Sequence, residues 1–205
     1  MFGSKGQFFI IAVLIFIIYY ASLIFYSFNT QSLIERQQSI ENFLFQNYFE
    51  QIKEEEKNIF EYFYFNESMR DFIKNFTIYA RNKFALSNFN LGALFLLANY
   101  SEISSGQNQS LSVYLLNLLN EKINANLTFN QTSSFASLND LESFETSFNF
   151  SISEDKEENL YLSCEEGNFK IAIPLKIGKS KKIGFWILVF EREKLKLKES
   201  FSLVG

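Results

Sequence analysis

The sequence predicts an α+β protein with an N-terminal transmembrane helix, a helical stalk and a C-terminal antiparallel β-sandwich. Three observations carry that prediction. An uncharged apolar stretch runs from Gln7 to Phe28, and apolar residues then recur at helical spacing as far as about residue 86. Beyond Ser87 they recur at every second position. The resulting segments are 1–6 for a leader, 7–28 for the membrane helix, 29–86 for the stalk and 87–205 for the outer domain.

The first stretch reads QFFIIAVLIFIIYYASLIFYSF and holds no charged residue. Phe8 to Tyr26 gives 19 residues interrupted only by Ser22. At about 1.5 Å per residue this approaches the ~30 Å hydrocarbon core of a bilayer. A buried core helix of that length normally keeps a polar stripe, and this stretch has none. A secretory signal has a shorter apolar region, about 7–15 residues, with a small-residue cleavage site after it. The stretch is therefore expected to anchor the chain in membrane lipid.

Orientation follows from the flanks. The leader carries Lys5 and the amino terminus, and positive charge favours the cytoplasmic side. The N-terminus is expected inside and the bulk of the chain outside. Asn-x-Ser/Thr sequons begin at Asn66, Asn75, Asn99, Asn108, Asn126, Asn130 and Asn149, all beyond the anchor. Composition alone predicts about three of them, so seven are read as glycosylation candidates on an extracytoplasmic surface.

The run Lys5-Gly6-Gln7-Phe8-Phe9-Ile10-Ile11 resembles the class III signal peptides of archaeal type IV pilin-like surface proteins, in which a short basic leader ends in Lys/Arg-Gly before an apolar helix. The resemblance covers about 20 residues. It implies that a prepilin-type peptidase cuts between Gly6 and Gln7. Many pilins carry a glutamate five residues into the mature chain, where this chain has Ile11, and one subgroup favours serine where it has Phe9. The resemblance thus implies processing more strongly than assembly into a filament.

Composition excludes several classes. The chain has no histidine, which removes imidazole bases and histidine metal ligands. Cys164 is the one cysteine, so no intrachain disulfide can form, and its surroundings match no metal motif. A net charge of −4 gives no footprint for nucleic acid. No cofactor site is read.

The stalk begins at Ser32, which with Glu35 forms an S-x-x-E capping box and predicts a new helix there. Ile40, Leu44, Tyr48 and Ile52 recur at four, while Phe45, Phe49, Ile52, Ile59 and Phe63 step by four, three, seven and four. This stripe is expected to pack on the chain's own domain, with a coiled coil or a helical contact between copies as the sharper alternative. Lys53-Glu54-Glu55-Glu56-Lys57 is expected to be a solvated face. Asn66-Glu67-Ser68 opens a second helix marked by Met69, Phe72, Ile73, Phe76 and Ala80 and ending near Lys83. The aromatic run Tyr62 to Phe65 is expected where the helices close on the domain.

In the outer domain Leu91 to Tyr100 is a nearly continuous apolar run, compatible with a buried strand or a helix. Alternation marks strands at Leu111 to Leu115, Ile123 to Phe129 and Phe144 to Ile152. Further strands are expected at Leu160 to Leu162, Phe169 to Ile173, Ile183 to Phe190 and around Leu195 and Leu197. Turn signals separate them at Ser105-Gly106, Asn139-Asp140, Glu154 to Glu158, Glu166-Gly167-Asn168 and Gly178 to Lys182. This spacing predicts an antiparallel sandwich of immunoglobulin-like type. Trp186 is expected in the core, and Pro174 at the end of its strand or on an edge.

Glu154, Asp155, Glu157 and Glu158 form one charge cluster, and Lys176, Lys179, Lys181 and Lys182 another. Both are read as solvated turns, with contact between neighbouring copies as the alternative; the acidic one lacks the spacing of a calcium loop.

The functional expectation is a single-pass, membrane-anchored cell-surface structural protein, pilin-like or S-layer-associated, with an anchored ligand- or partner-binding module as the alternative. Its expected partners are lipid, the peptidase, surface proteins and other copies through the stalk. An extracytoplasmic hydrolase is the poorest reading. The chain has no G-x-S-x-G motif and no separated carboxylate pair suited to catalysis, so it is not read as an enzyme.

Overall fold

The computed structural model describes residues 4–62, 68–86, 88–101, 108–192 and 195–204. Two helices precede nine strands. The helices are α1 (Ser4–Tyr62) and α2 (Ser68–Ala85). The strands are β1 (Asn90–Tyr100), β2 (Asn108–Leu118), β3 (Ile123–Phe129), β4 (Thr132–Leu138) and β5 (Ser143–Ser151), then β6 (Lys156–Cys164), β7 (Gly167–Leu175), β8 (Lys181–Arg192) and β9 (Leu195–Val204). The chain divides into two compact units, Met1–Tyr48 and Phe49–Gly205.

The first unit is the leading part of α1. Ile18, Tyr19, Tyr20, Leu23, Ile24 and Tyr26 are all exposed in it. Ser22, the polar residue inside the apolar stretch, turns its hydroxyl back on its own helix, 2.9 Å from the Ile18 carbonyl and 2.8 Å from that of Tyr19. Among the described residues no helix is long and apolar enough to cross a membrane. Most side chains of the expected span, Gln7 to Phe28, lie outside the described residues. The helix start expected at Ser32 is corrected: α1 runs unbroken through Asn29 to Ser32. None of these residues is glycine or proline, and polar residues cost a helix only about 0.7 kcal/mol or less each, so continuation outweighs the cap.

In the second unit β1 to β9 form two antiparallel sheets, ordered β5-β2-β1-β8-β9 and β4-β3-β6-β7. Their facing surfaces make the main core. Leu94, Leu96 and Ala98 of β1 and Ile183, Phe185 and Ile187 of β8 meet Leu127, Leu160 and Ile171 of the smaller sheet. The alternate side chains of β1 and β8 point the other way, where the helices cover them. Phe49 of α1 stacks on Phe190 of β8 at 6.4 Å between ring centres, and Phe84 at the end of α2 meets the same ring edge-on at 5.5 Å. Trp186, fully buried as expected, lies in this second layer between Phe95 and Phe201. Double coverage explains the unbroken apolar runs of β1 and β8: a strand buried on both faces loses its alternation.

Several boundaries differ from expectation. β4 carries no sequence signal strong enough to mark it; Asn130 and Gln131, both at positive φ (47° and 65°), join it to β3 as a tight hairpin turn. Neither is glycine, so the turn is hard to read. The acidic cluster is not one turn, because β6 begins at Lys156 and takes Glu157 and Glu158 into the strand. Lys181 and Lys182 likewise belong to β8. Pro174 sits near the end of β7, an edge strand, where its missing N–H costs nothing. The turn at Ser105-Gly106 and the junction residues Phe63, Tyr64 and Phe65 lie outside the described residues.

Candidate functional site

The helix layer holds a buried carboxyl. Phe49, Ile52, Glu56 and Ile59 follow one another on α1 at spacings of three, four and three, so Glu56 occupies the apolar stripe. It is 0 % exposed, which corrects the expectation of a solvated glutamate run; Glu54 and Glu55 do face solvent. Glu56 Oε1 lies 3.2 Å from Thr77 Oγ1 of α2, and Thr77 Oγ1 lies 2.9 Å from the Ile73 carbonyl. Thr77 has one hydroxyl proton. If it goes to Ile73, the proton between the two side chains must belong to Glu56. Burial pushes the Glu56 carboxyl up to about 8, against a smaller downward pull from Thr77, so its neutral form predominates near pH 7. Glu56 Oε2 has no hydrogen-bond partner among the described residues.

A polar groove of about 880 Å³ opens beside α2, on the five-stranded sheet. Arg70 of α2, Asn99 of β1, Tyr114 of β2, Glu145 of β5 and Lys182 of β8 line it. The Arg70 guanidinium lies 4.1 Å over the Tyr114 ring and pairs with Glu145. Burial, then the nearby Arg70 charge, holds the Lys182 ammonium below its usual range. Ser112, Ser143 and Ser147 add hydroxyls. Donors and acceptors set on a sheet are suited to holding a polar ligand.

A clamp holds the other end of α2. Arg81 Nη1 and Nη2 reach Asp140 at 2.8 and 3.2 Å, and Nε donates to the Leu91 carbonyl at 3.3 Å. Nη2 also donates to the Leu118 carbonyl. One planar side chain thereby ties α2 to the ends of β1 and β2 and to the β4–β5 turn.

The sequence-predicted residues do not converge. Lys5, Gly6 and Gln7 fall in the first turns of α1, with side chains outside the described residues. Asn66 also lies outside them. Asn75, Asn108, Asn126, Asn130 and Asn149 are exposed and spread over α2, β2, β3, the β3–β4 turn and β5, while Asn99 is half-buried in the groove. The two charge clusters meet within the chain: Asp155 Oδ1 accepts the Ile177 amide at 2.8 Å, bringing the acidic turn beside the lysine turn. Cys164 is half-buried and burial pushes its thiol up, away from reactivity. Among the described residues no cluster of three metal-ligating side chains occurs. Glu56 was missed, although the seven-residue step from Ile52 to Ile59 marked the gap it fills. The groove left no signal, because its residues come from five separated elements.

No protein-family model matches the chain, and no curated protein matches it.

Proposed function

We propose that this chain is a membrane-anchored structural protein of the cell surface, carrying its β-sandwich outside the cell and processed like a type IV pilin-like precursor. The observation behind this reading is α1. One helix contains the uncharged stretch from Gln7 to Phe28 and also the apolar residues Phe49 and Ile52, which are buried. The same reading takes the sandwich as immunoglobulin-like. β2 pairs with β5, β3 with β6 and β6 with β7, the neighbour relations of strands B–E, C–F and F–G in that fold, with β4 beside β3 as an added C′ strand. On this reading β8, β9 and the helices are additions.

The leader supplies the test. A prepilin-type peptidase is the proposed partner for Lys5-Gly6-Gln7, and Gly6 lets a protease approach the backbone closely. Terminal sequencing of surface-purified protein should find Gln7 first, and Gly6→Val should leave the leader attached. Protease treatment of intact cells should remove everything beyond about residue 30. A retained Met1 on surface protein removes the pilin-like part, and full protection of the sandwich removes the topology.

Ile11 bears on assembly. A freed amino terminus at the membrane is costly without an acidic partner, and the anchor offers none. The mature chain is therefore proposed as a surface subunit, or a minor one among others, rather than a sole filament former. Homogeneous filaments from this chain alone would overturn that point.

The groove favours a second reading, an anchored module that binds a polar ligand or partner. Loss of a surface ligand on Arg70→Ala, with the surface layer intact, would favour it over a structural role.

A further inference from the structure

The outer face of the smaller sheet is set with short polar side chains tied across strands. The Thr128 and Ser133 hydroxyls are 2.8 Å apart, Ser137 Oγ donates to Asn124 Oδ1 at 2.9 Å, and Ser163 Oγ donates to Asn168 Oδ1. Asn126 stands at the centre, opposite Phe135 on β4 and Ser163 on β6. Its carboxamide makes no hydrogen bond to another described residue. Phe135 is 65 % exposed, and Tyr161, opposite Thr128, is 50 % exposed. Two aromatic rings thus face solvent on a polar sheet, flanking an asparagine that opens the sequon Asn126-Leu127-Thr128.

Directly opposed side chains on antiparallel strands have Cβ atoms about 5 Å apart. A sugar on Asn126 Nδ2 therefore comes within reach of the Phe135 ring. Sugars present an apolar C–H face to aromatic rings, and a ring covered in this way loses water contact. We infer that Asn126 is an N-glycosylation site whose first sugar seats on Phe135, with Tyr161 flanking it, so that the glycan covers this aromatic pair and ties β3 to β4. The inference rests on the extracytoplasmic reading above. The donor is a lipid-linked sugar phosphate. Nδ2 bonds to the anomeric carbon, the C–O bond to phosphate breaks, the phosphate leaves with the electron pair, and the amide proton passes to solvent. Asn149 provides a contrast, being exposed but paired with Ser110, so that a glycan there meets no ring across the strands.

The test uses the full chain, purified in detergent from a glycosylating host and from one without N-glycosylation. Site-resolved peptide mass spectrometry should find Asn126 occupied. In the glycosylated protein Asn126→Gln should lower Tm by about 3 °C, and that shift should vanish when Phe135→Ser is already present. Thr128→Ala, which removes the sequon but keeps Asn126 and also loses the Ser133 contact, should match Asn126→Gln in its dependence on Phe135, whereas Asn149→Gln should show none. In unglycosylated protein the Asn126–Phe135 dependence should be absent. An empty Asn126 beside occupied sequons elsewhere overturns the inference, as does a Tm shift indifferent to Phe135 or a coupling that persists without glycan. Bare asparagines at every sequon overturn the glycosylation reading beneath it.

Discussion

Glu56 Oε1 and Thr77 Oγ1 stand 3.2 Å apart where α1 meets α2, and both residues are fully buried. With its carboxyl raised from 4.5 to about 8, Glu56 keeps its proton in the folded state where the unfolded chain has lost it. Stability therefore falls as pH rises from about 4.5 to about 8 and levels off above, at up to ~1.4 kcal/mol per pH unit from this group. Glu56→Gln stays neutral and removes that slope. Urea midpoints measured from pH 5 to 9 should show the variant gaining on the wild type as pH rises. Glu142 and Glu165, held below the usual carboxylate range, are present in both proteins and cancel in the difference. Parallel profiles would show that Glu56 is not the buried acid described.

Arg81 joins three parts of the second unit through one guanidinium. Arg81→Ala strips Asp140 of its cationic partner, leaving it the Asn120 amide at 3.1 Å, and should cost about 2 kcal/mol, below the value for a fully buried pair because Asp140 is partly solvated. Arg81→Lys should recover little, since an ammonium cannot match a carboxylate and two carbonyls in one plane. Equilibrium unfolding of both variants measures this, and full recovery by lysine would reduce the clamp to simple charge.

Asn117 is a buried amide hydrogen-bonded to backbone. Its Nδ2 donates to the carbonyls of Glu121, Leu138 and Asn139 at 2.7, 3.1 and 3.1 Å, and its Oδ1 accepts the Leu119 amide at 3.0 Å. Asn117→Asp keeps the shape but turns a donor into an acceptor facing three carbonyls. It should destabilise by about 3 kcal/mol or more at neutral pH and partly recover in acid, where the added carboxyl regains a proton. Thermal melts at pH 7 and pH 4 distinguish this from simple loss of packing, which would not depend on pH.

Gly92 lies where β1 runs against the end of β2. A Cβ there would meet Leu119 Cα at 3.1 Å and its carbonyl oxygen at 3.3 Å. Backbone cannot swing aside as a side chain can, so Gly92→Ala should cost about 1–3 kcal/mol, read as a lowered unfolding midpoint. An unchanged midpoint would mean that Leu119 yields the few tenths of an ångström the added methyl needs.

The sequence by itself determined the local elements. Ile123 to Phe129 alternates because one face of β3 is buried and the other wet, and the observed strand has those bounds. Pro174 marked an edge because it has no N–H to give. The anchor expectation likewise rests on Gln7 to Phe28 alone, since a charge-free run of that length needs no neighbour to be recognised. Tertiary structure decided what covers each face. Leu91 to Tyr100 reads equally as a helix or a strand until two layers enclose it. The Lys53-Glu54-Glu55-Glu56-Lys57 run reads as solvent-facing because composition outweighed phase. Helical phase turns Glu56 inward, and only the arrival of α2, with Thr77 opposite, makes that carboxyl a buried, neutral group. The same holds for Asn126 and Phe135: nine positions separate them in sequence, and only the hairpin through Asn130 and Gln131 sets them face to face, because register between strands is fixed by the turn and not by either strand.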